Sequence, residues 1–132
     1  MIRQLSSLAP ISTDSAVLIL RIIFFGLLLF NHAFVKFALF RENPDSFPDP
    51  VGLGATATFY LVMFAEMLCG TLCLIGLFTR YALIPLVITM LVALFRIHWE
   101  NDITDKELPL LYLAVYLSIF LTGPGRFSLD AR

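Results

Sequence analysis

At 132 residues the chain has the length of a single domain, and 59% of it is hydrophobic against 14% charged, with a mean hydropathy of +0.88. Soluble domains usually carry about 25% charged residues, and thirteen phenylalanines with long Leu, Ile and Val runs exceed what one small core can bury, so the lipid bilayer is the expected solvent. A net charge of −1 without a basic tract gives nucleic acid no footing as a partner.

The lead "MIRQLSSLAPISTDS" lacks the basic start and small-residue cleavage site of a signal peptide, so none is expected. The first apolar segment covers about 15–40, with Asp14 or Thr13 placed to cap it. Its end reads "NHAFVKF", residues 31–37, and so carries His32 and Lys36; Arg21 lies further back. At about 100° per residue His32 falls about 20° from Arg21 and Lys36 about 60°, a shared face unsuited to lipid. Arg21 stands alone near the inner surface, where reaching lipid phosphate weighs at least as much as a functional role.

Residues 41–55, "RENPDSFPDPVGLGA", form a Pro- and Gly-rich loop. The second apolar segment covers about 56–79 and holds the one carboxylate in an apolar interior, Glu66. Gly70, Cys73 and Cys69 fall within about 60° of it, so this face can approach another helix closely. Cys69 and Cys73 are one turn apart, a poor disulfide geometry, and are read as small packing residues. The third segment, about 81–98, follows Arg80 with almost no loop, has Pro85 near its first turn, and ends in Arg96 and His98. The fourth, about 105–122, opens with Thr104 and Glu107 at capping-box spacing. Trp99, Tyr81 and Tyr112 read as interfacial aromatics.

A span needs about 20 apolar residues, and lipid leaves the backbone no partner outside a helix or closed barrel. The fold class is therefore all-α: an integral membrane four-helix bundle filling residues 1–132 as one domain. Arg3, Arg80, Arg126 and Arg132 lie on one side against Arg41, Arg96 and Lys106 on the other, which orients both termini toward the cytoplasm.

Counted at about 1.5 Å per residue, His32 lies about 12 Å deep, Lys36 about 6 Å and Glu66 about 15 Å from the outer helix ends. His32, Lys36, Glu66, Arg96 and His98 are thus expected to form a polar cluster in the outer half of the bundle. Glu66 should be paired or protonated there, with Lys36 or His32 as the partner. One reading of such a cluster is structural. The other is a site for a quinone head group or for protons, since Lys and His can bond a carbonyl oxygen and Glu can take a proton. A haem between His32 and His98 is geometrically open but not expected, and no metal motif is present. At the C-terminal end, Gly123, Pro124, Gly125 and Arg126 read as a helix stop, with Arg126 answered by Asp130 or lipid phosphate.

"NHAFVKF", "EMLCGTLCLIGLFTR" and "LTGPGRFSLD" together resemble the DoxX family of small four-helix bacterial membrane proteins. Ala33 stands where that family usually has glycine, and Cys69-Gly70 where a glycine pair is common. The resemblance implies a multi-pass protein of the bacterial inner membrane in a redox context, since some relatives are subunits of thiosulfate:quinone oxidoreductase and others associate with thiol and superoxide defence enzymes. The expected function is a redox-associated subunit. The alternative is a non-catalytic accessory or assembly subunit of a larger membrane complex, and a small-molecule carrier comes third. Expected partners are the lipid bilayer and other membrane subunits or a second copy of the chain.

Overall fold

The computed structural model describes residues 2–97 and 100–131 (the Gln4 side chain excepted). A short helix α1, Ile2–Ser6, precedes α2, Thr13–Phe40, α3, Ala55–Ile75, α4, Thr79–Ile97, and α5, Ile103–Thr122. Among the described residues no strand forms. Helices α2, α3 and α4 are each long and apolar enough to cross a membrane. Less than half of each one's most apolar stretch is buried by protein, and large apolar side chains such as Phe30, Leu61 and Ile88 face outward, where lipid covers them.

The helix ends follow local chemistry, with several departures from the sequence reading. Ser12, not Asp14 or Thr13, caps α2: its hydroxyl oxygen accepts from Ser15 N–H at 3.2 Å. Helix α3 stops at Ile75 rather than near 79. Gly76 takes φ 77°, and the N–H groups of Gly76 and Leu77 both return to the Leu72 carbonyl, closing the left-handed stop glycine favours. Helix α4 then begins at Thr79, so Pro85 lies well inside it rather than near its first turn. The box expected from Thr104 and Glu107 does not form; α5 starts after Asp102 with no side-chain cap.

Three of the helices contain wide π turns, at Arg21–Phe25, Leu28–Ala33, Phe64–Cys69 and Ala93–Ile97. Such turns concentrate at functional positions, and Arg21, His32, Glu66 and Arg96 all lie in them. They also rotate the helix beyond them, so a uniform wheel drawn from Arg21 to Lys36 accumulates error.

In sequence order α2, α3, α4 and α5 pack each on the next, and α5 returns to α2. The central core joins Phe25 and Leu28 of α2, Ala65 and Cys73 of α3, Leu83 and Leu86 of α4, and Tyr116 and Ile119 of α5. A smaller cluster of Phe47, Phe59 and Met63 pins the 41–54 loop to α3. Asp49 shapes that loop: its carboxylate accepts from the N–H groups of Gly52, Leu53 and Gly54 and from the Thr58 hydroxyl.

Candidate functional site

Small residues bring α2 and α3 together. Ala33 and Ala65 are buried, and a Cβ built on Gly70 would sit 3.2 Å from Leu28 Cδ2 and 3.5 Å from Leu29 Cδ2. Beside this contact Lys36 Nζ lies 2.6 Å from Glu66 Oε1. Glu66 is fully buried, whereas the Lys36 side chain is 34% exposed. The second oxygen, Glu66 Oε2, is buried and has no hydrogen-bond partner among the described residues.

Helix α5 supplies the rest of the wall. The half-buried His32 ring meets Tyr112 edge-on with centroids 5.7 Å apart, and Tyr112 lies 5.8 Å from Tyr116. Phe24 packs edge-on against Tyr112 at 5.5 Å, and Phe25 stacks parallel on Tyr116 at 5.6 Å. An acid, an amine, an imidazole and two phenols are thus placed on α2, α3 and α5, the acid paired with the amine and the imidazole packed on the phenol of Tyr112, and their buried polar interactions are stronger than in water.

Residues 16–99, which carry Lys36 and Glu66, match the DoxX family. This chain belongs to the DoxX family. It is 32% identical to an uncharacterized protein of Haemophilus influenzae, over 69% of this chain and 64% of that one. It is also 32% identical to an uncharacterized membrane protein of Mycobacterium tuberculosis, over 65% of this chain and 67% of the relative. The Haemophilus match thus spans less than two thirds of that protein's length. No solved structure matches the chain significantly.

Of the five expected cluster residues the structure joins Lys36 to Glu66, with His32 on the same helix as Lys36. Arg96 is exposed, and no ion pair joins it to Glu66 among the described residues. His98 lies outside the described residues, as does Trp99. Cys69 and Cys73 are buried free thiols. Tyr112, read from sequence as an interfacial ring, is 2% exposed and belongs to the core. Tyr116, which the sequence reading passed over, is fully buried. The signal for both was present: two phenols one helical turn apart in an apolar run share one face.

At the opposite end, the helix stop of this DoxX chain is part of a larger lock. Gly123 ends α5 with φ 79°. Arg21 is not alone and does not reach for lipid. Only 1% exposed, it donates through Nε to the Cys73 carbonyl and through Nη2 to that of Leu74, while Nη1 reaches the carbonyls of Pro124 and Phe127. The first two are orphan acceptors at the end of α3, where a cation is favoured. Arg126 does not pair with Asp130; its N–H donates to Asp14 Oδ1 and its guanidinium lies 4.8 Å from the Phe127 ring centroid. Asp130 instead caps α4, accepting from Phe78 N–H at 2.8 Å and Thr79 N–H at 2.9 Å. Burial pushes the Asp130 carboxyl up, but the N–H groups of Thr79 and Phe78 outweigh it and hold the group below its ordinary value.

Proposed function

We propose that this DoxX-family chain is a four-helix bundle of the bacterial inner membrane, with both termini cytoplasmic, acting as a redox-associated subunit. Its Glu66 cluster binds a quinone-type head group and exchanges protons with it, while the electrons come from a partner subunit. The observation that supports this reading is the state of Glu66. A carboxylate taken fully out of solvent is costly, and its pairing with Lys36 leaves one oxygen without a hydrogen-bond partner among the described residues. Intramembrane ionisable groups of this kind mark ligand or proton pathways. The aromatic rings of Phe24, Phe25 and Tyr112 provide flat apolar walls suited to a ring, and Lys36 and His32 offer donors.

The test is binding of decylubiquinone to the purified chain in lipid nanodiscs. Wild type should bind, and a folded Glu66→Gln variant should bind at least tenfold more weakly. Equal binding by the two, or none by wild type, sinks the reading. A second reading rests on the 2.6 Å Lys36–Glu66 contact itself, which neutralises its own charges without a ligand. On that reading the pair is a tie between α2 and α3 in an accessory subunit. Absent quinone binding, together with co-purification of one defined membrane complex, would favour it.

A further inference from the structure

A cleft of about 410 Å³ opens at the end of the bundle that holds the C-terminal segment. Phe78, Thr79, Arg80 and Tyr81 at the start of α4 line it, together with Pro124 and Asp130 of that segment. Its volume lies within the range of small-molecule sites. Helix α3 ends at Ile75 and α4 starts at Thr79, so the cleft stands where two membrane-crossing helices leave the apolar layer, at the level of lipid head groups. Phe78 holds φ 50°, a strained left-handed conformation for a phenylalanine, and its ring and that of Tyr81 are largely exposed. Aromatic rings turned outward at this level are covered by lipid.

We propose that this cleft holds the head group of a lipid that carries both a phosphate and a primary ammonium, such as phosphatidylethanolamine. The lining supplies one cation and one anion, Arg80 and Asp130. Arg80 Nε donates to the Phe120 carbonyl at 2.9 Å, which orients the guanidinium, and no carboxylate pairs with it among the described residues. Its terminal nitrogens suit a phosphate, which a guanidinium binds through two parallel hydrogen bonds. Each Asp130 oxygen accepts one N–H, from Phe78 or Thr79, and a carboxylate has about four acceptor positions. The Thr79 hydroxyl is buried and has no hydrogen bond of its own among the described residues, although the N–H of the same residue reaches Asp130. An ammonium brings three donors to these acceptors. A head group with a phosphate alone sets its charge against Asp130. A choline has no N–H and so answers neither Asp130 nor Thr79. The cleft lies at the other end of the bundle from Glu66, and the inference is independent of the quinone-type reading.

The experiment adds dioleoyl phosphatidylethanolamine, phosphatidylcholine and phosphatidylglycerol in equal amounts to the detergent-purified chain and reads the retained lipid by native mass spectrometry. Wild type should retain the ethanolamine lipid about tenfold over either of the others. Arg80→Gln should lower that retention about tenfold. Asp130→Asn, which keeps a capping oxygen, should abolish the preference over choline. Arg41→Gln, at the far end of α2, should change neither. Equal retention of the three lipids by wild type, or a preference for the choline or glycerol lipid, overturns the inference. So does retention untouched by Arg80→Gln, or a preference untouched by Asp130→Asn. An equal loss in Arg41→Gln would mark bulk charge as the cause and also overturn it. Where a variant does not fold, the wild-type ranking decides. Competition by soluble glycerophosphoethanolamine as strong as that of the lipid would make this a site for the free head group and overturn the lipid assignment.

Discussion

Arg21 Nη1 donates to the Phe127 carbonyl at 2.8 Å, joining the first membrane helix to a segment 106 residues later in the chain. The same guanidinium serves three other carbonyls, two at the end of α3 and one at Pro124. A single planar fork of donors therefore locks α2, α3 and the C-terminal segment into one unit.

Arg21→Met should unfold that lock. Its loss leaves buried carbonyls without donors, which should lower stability by on the order of 3 kcal/mol. Arg21→Lys should recover only part, because an ammonium cannot span both pairs of carbonyls. Thermal unfolding in detergent reads both, and an unchanged melting curve for Arg21→Met would contradict the lock.

Glycine should matter far more at 76 than at 70. A Cβ at Gly76 would lie 2.3 Å from Ser128 Cβ and 2.8 Å from Arg21 Nη2, on a backbone at φ 77°. Gly76→Ala should cost about 2 kcal/mol or more. At Gly70 the facing atoms are the tips of Leu28 and Leu29, so Gly70→Ala should stay within about 1 kcal/mol, while Gly70→Leu should cost about 1–3 kcal/mol by overpacking. The order of folded yields tests this, and a Gly76→Ala protein as stable as Gly70→Ala would refute it.

The Asp130 cap should weaken in acid. Its carboxyl titrates below its ordinary 3.8, so its contribution is present above the ordinary carboxylate range and is lost as pH falls through the folded-state value. Asp130→Ala should cost about 1 kcal/mol at neutral pH. The gap in melting temperature between wild type and variant should narrow from about pH 7 to about pH 3. A gap that widens on acidification would show that the cap is not what Asp130 contributes.

Lys36 and Glu66 should be coupled. Glu66→Gln and Lys36→Met should each destabilise, and the double variant should recover part of the loss, with a coupling of about 1 kcal/mol, limited by the exposure of the Lys36 side chain. A double-mutant cycle in nanodiscs measures it, and a value near zero would mean that the 2.6 Å contact carries no net interaction.

The proposed topology places the 41–54 loop outside and the C-terminus inside. In a Cys69→Ala/Cys73→Ala background, an impermeant thiol reagent added to intact cells should label Asn43→Cys and spare Ala131→Cys. The reverse pattern would invert the protein in the membrane.

Much of this protein could be read from the sequence because the bilayer makes the reading local. An apolar run either is or is not long enough to cross hydrocarbon, and once there the backbone can satisfy itself only as a helix. So α2, α3 and α4 were legible, and so was the meeting of Lys36 with Glu66, the one carboxylate at a matching depth. The Gly-Pro-Gly stop was legible too, because positive φ and a missing donor are properties of the residues themselves. What only the tertiary structure decided has a common cause: the partners are backbone atoms, which carry no residue identity to read. Arg21 binds carbonyls 52 to 106 positions away, and Asp130 caps a helix 51 positions before it. Neither contact has a charge or motif opposite it in the sequence. Tyr112 and Tyr116 were legible as residues but not as a wall of the site. Which face of α5 turns inward depends on packing against α2, and the π turns of α2 shift its own faces by amounts no uniform helical period contains.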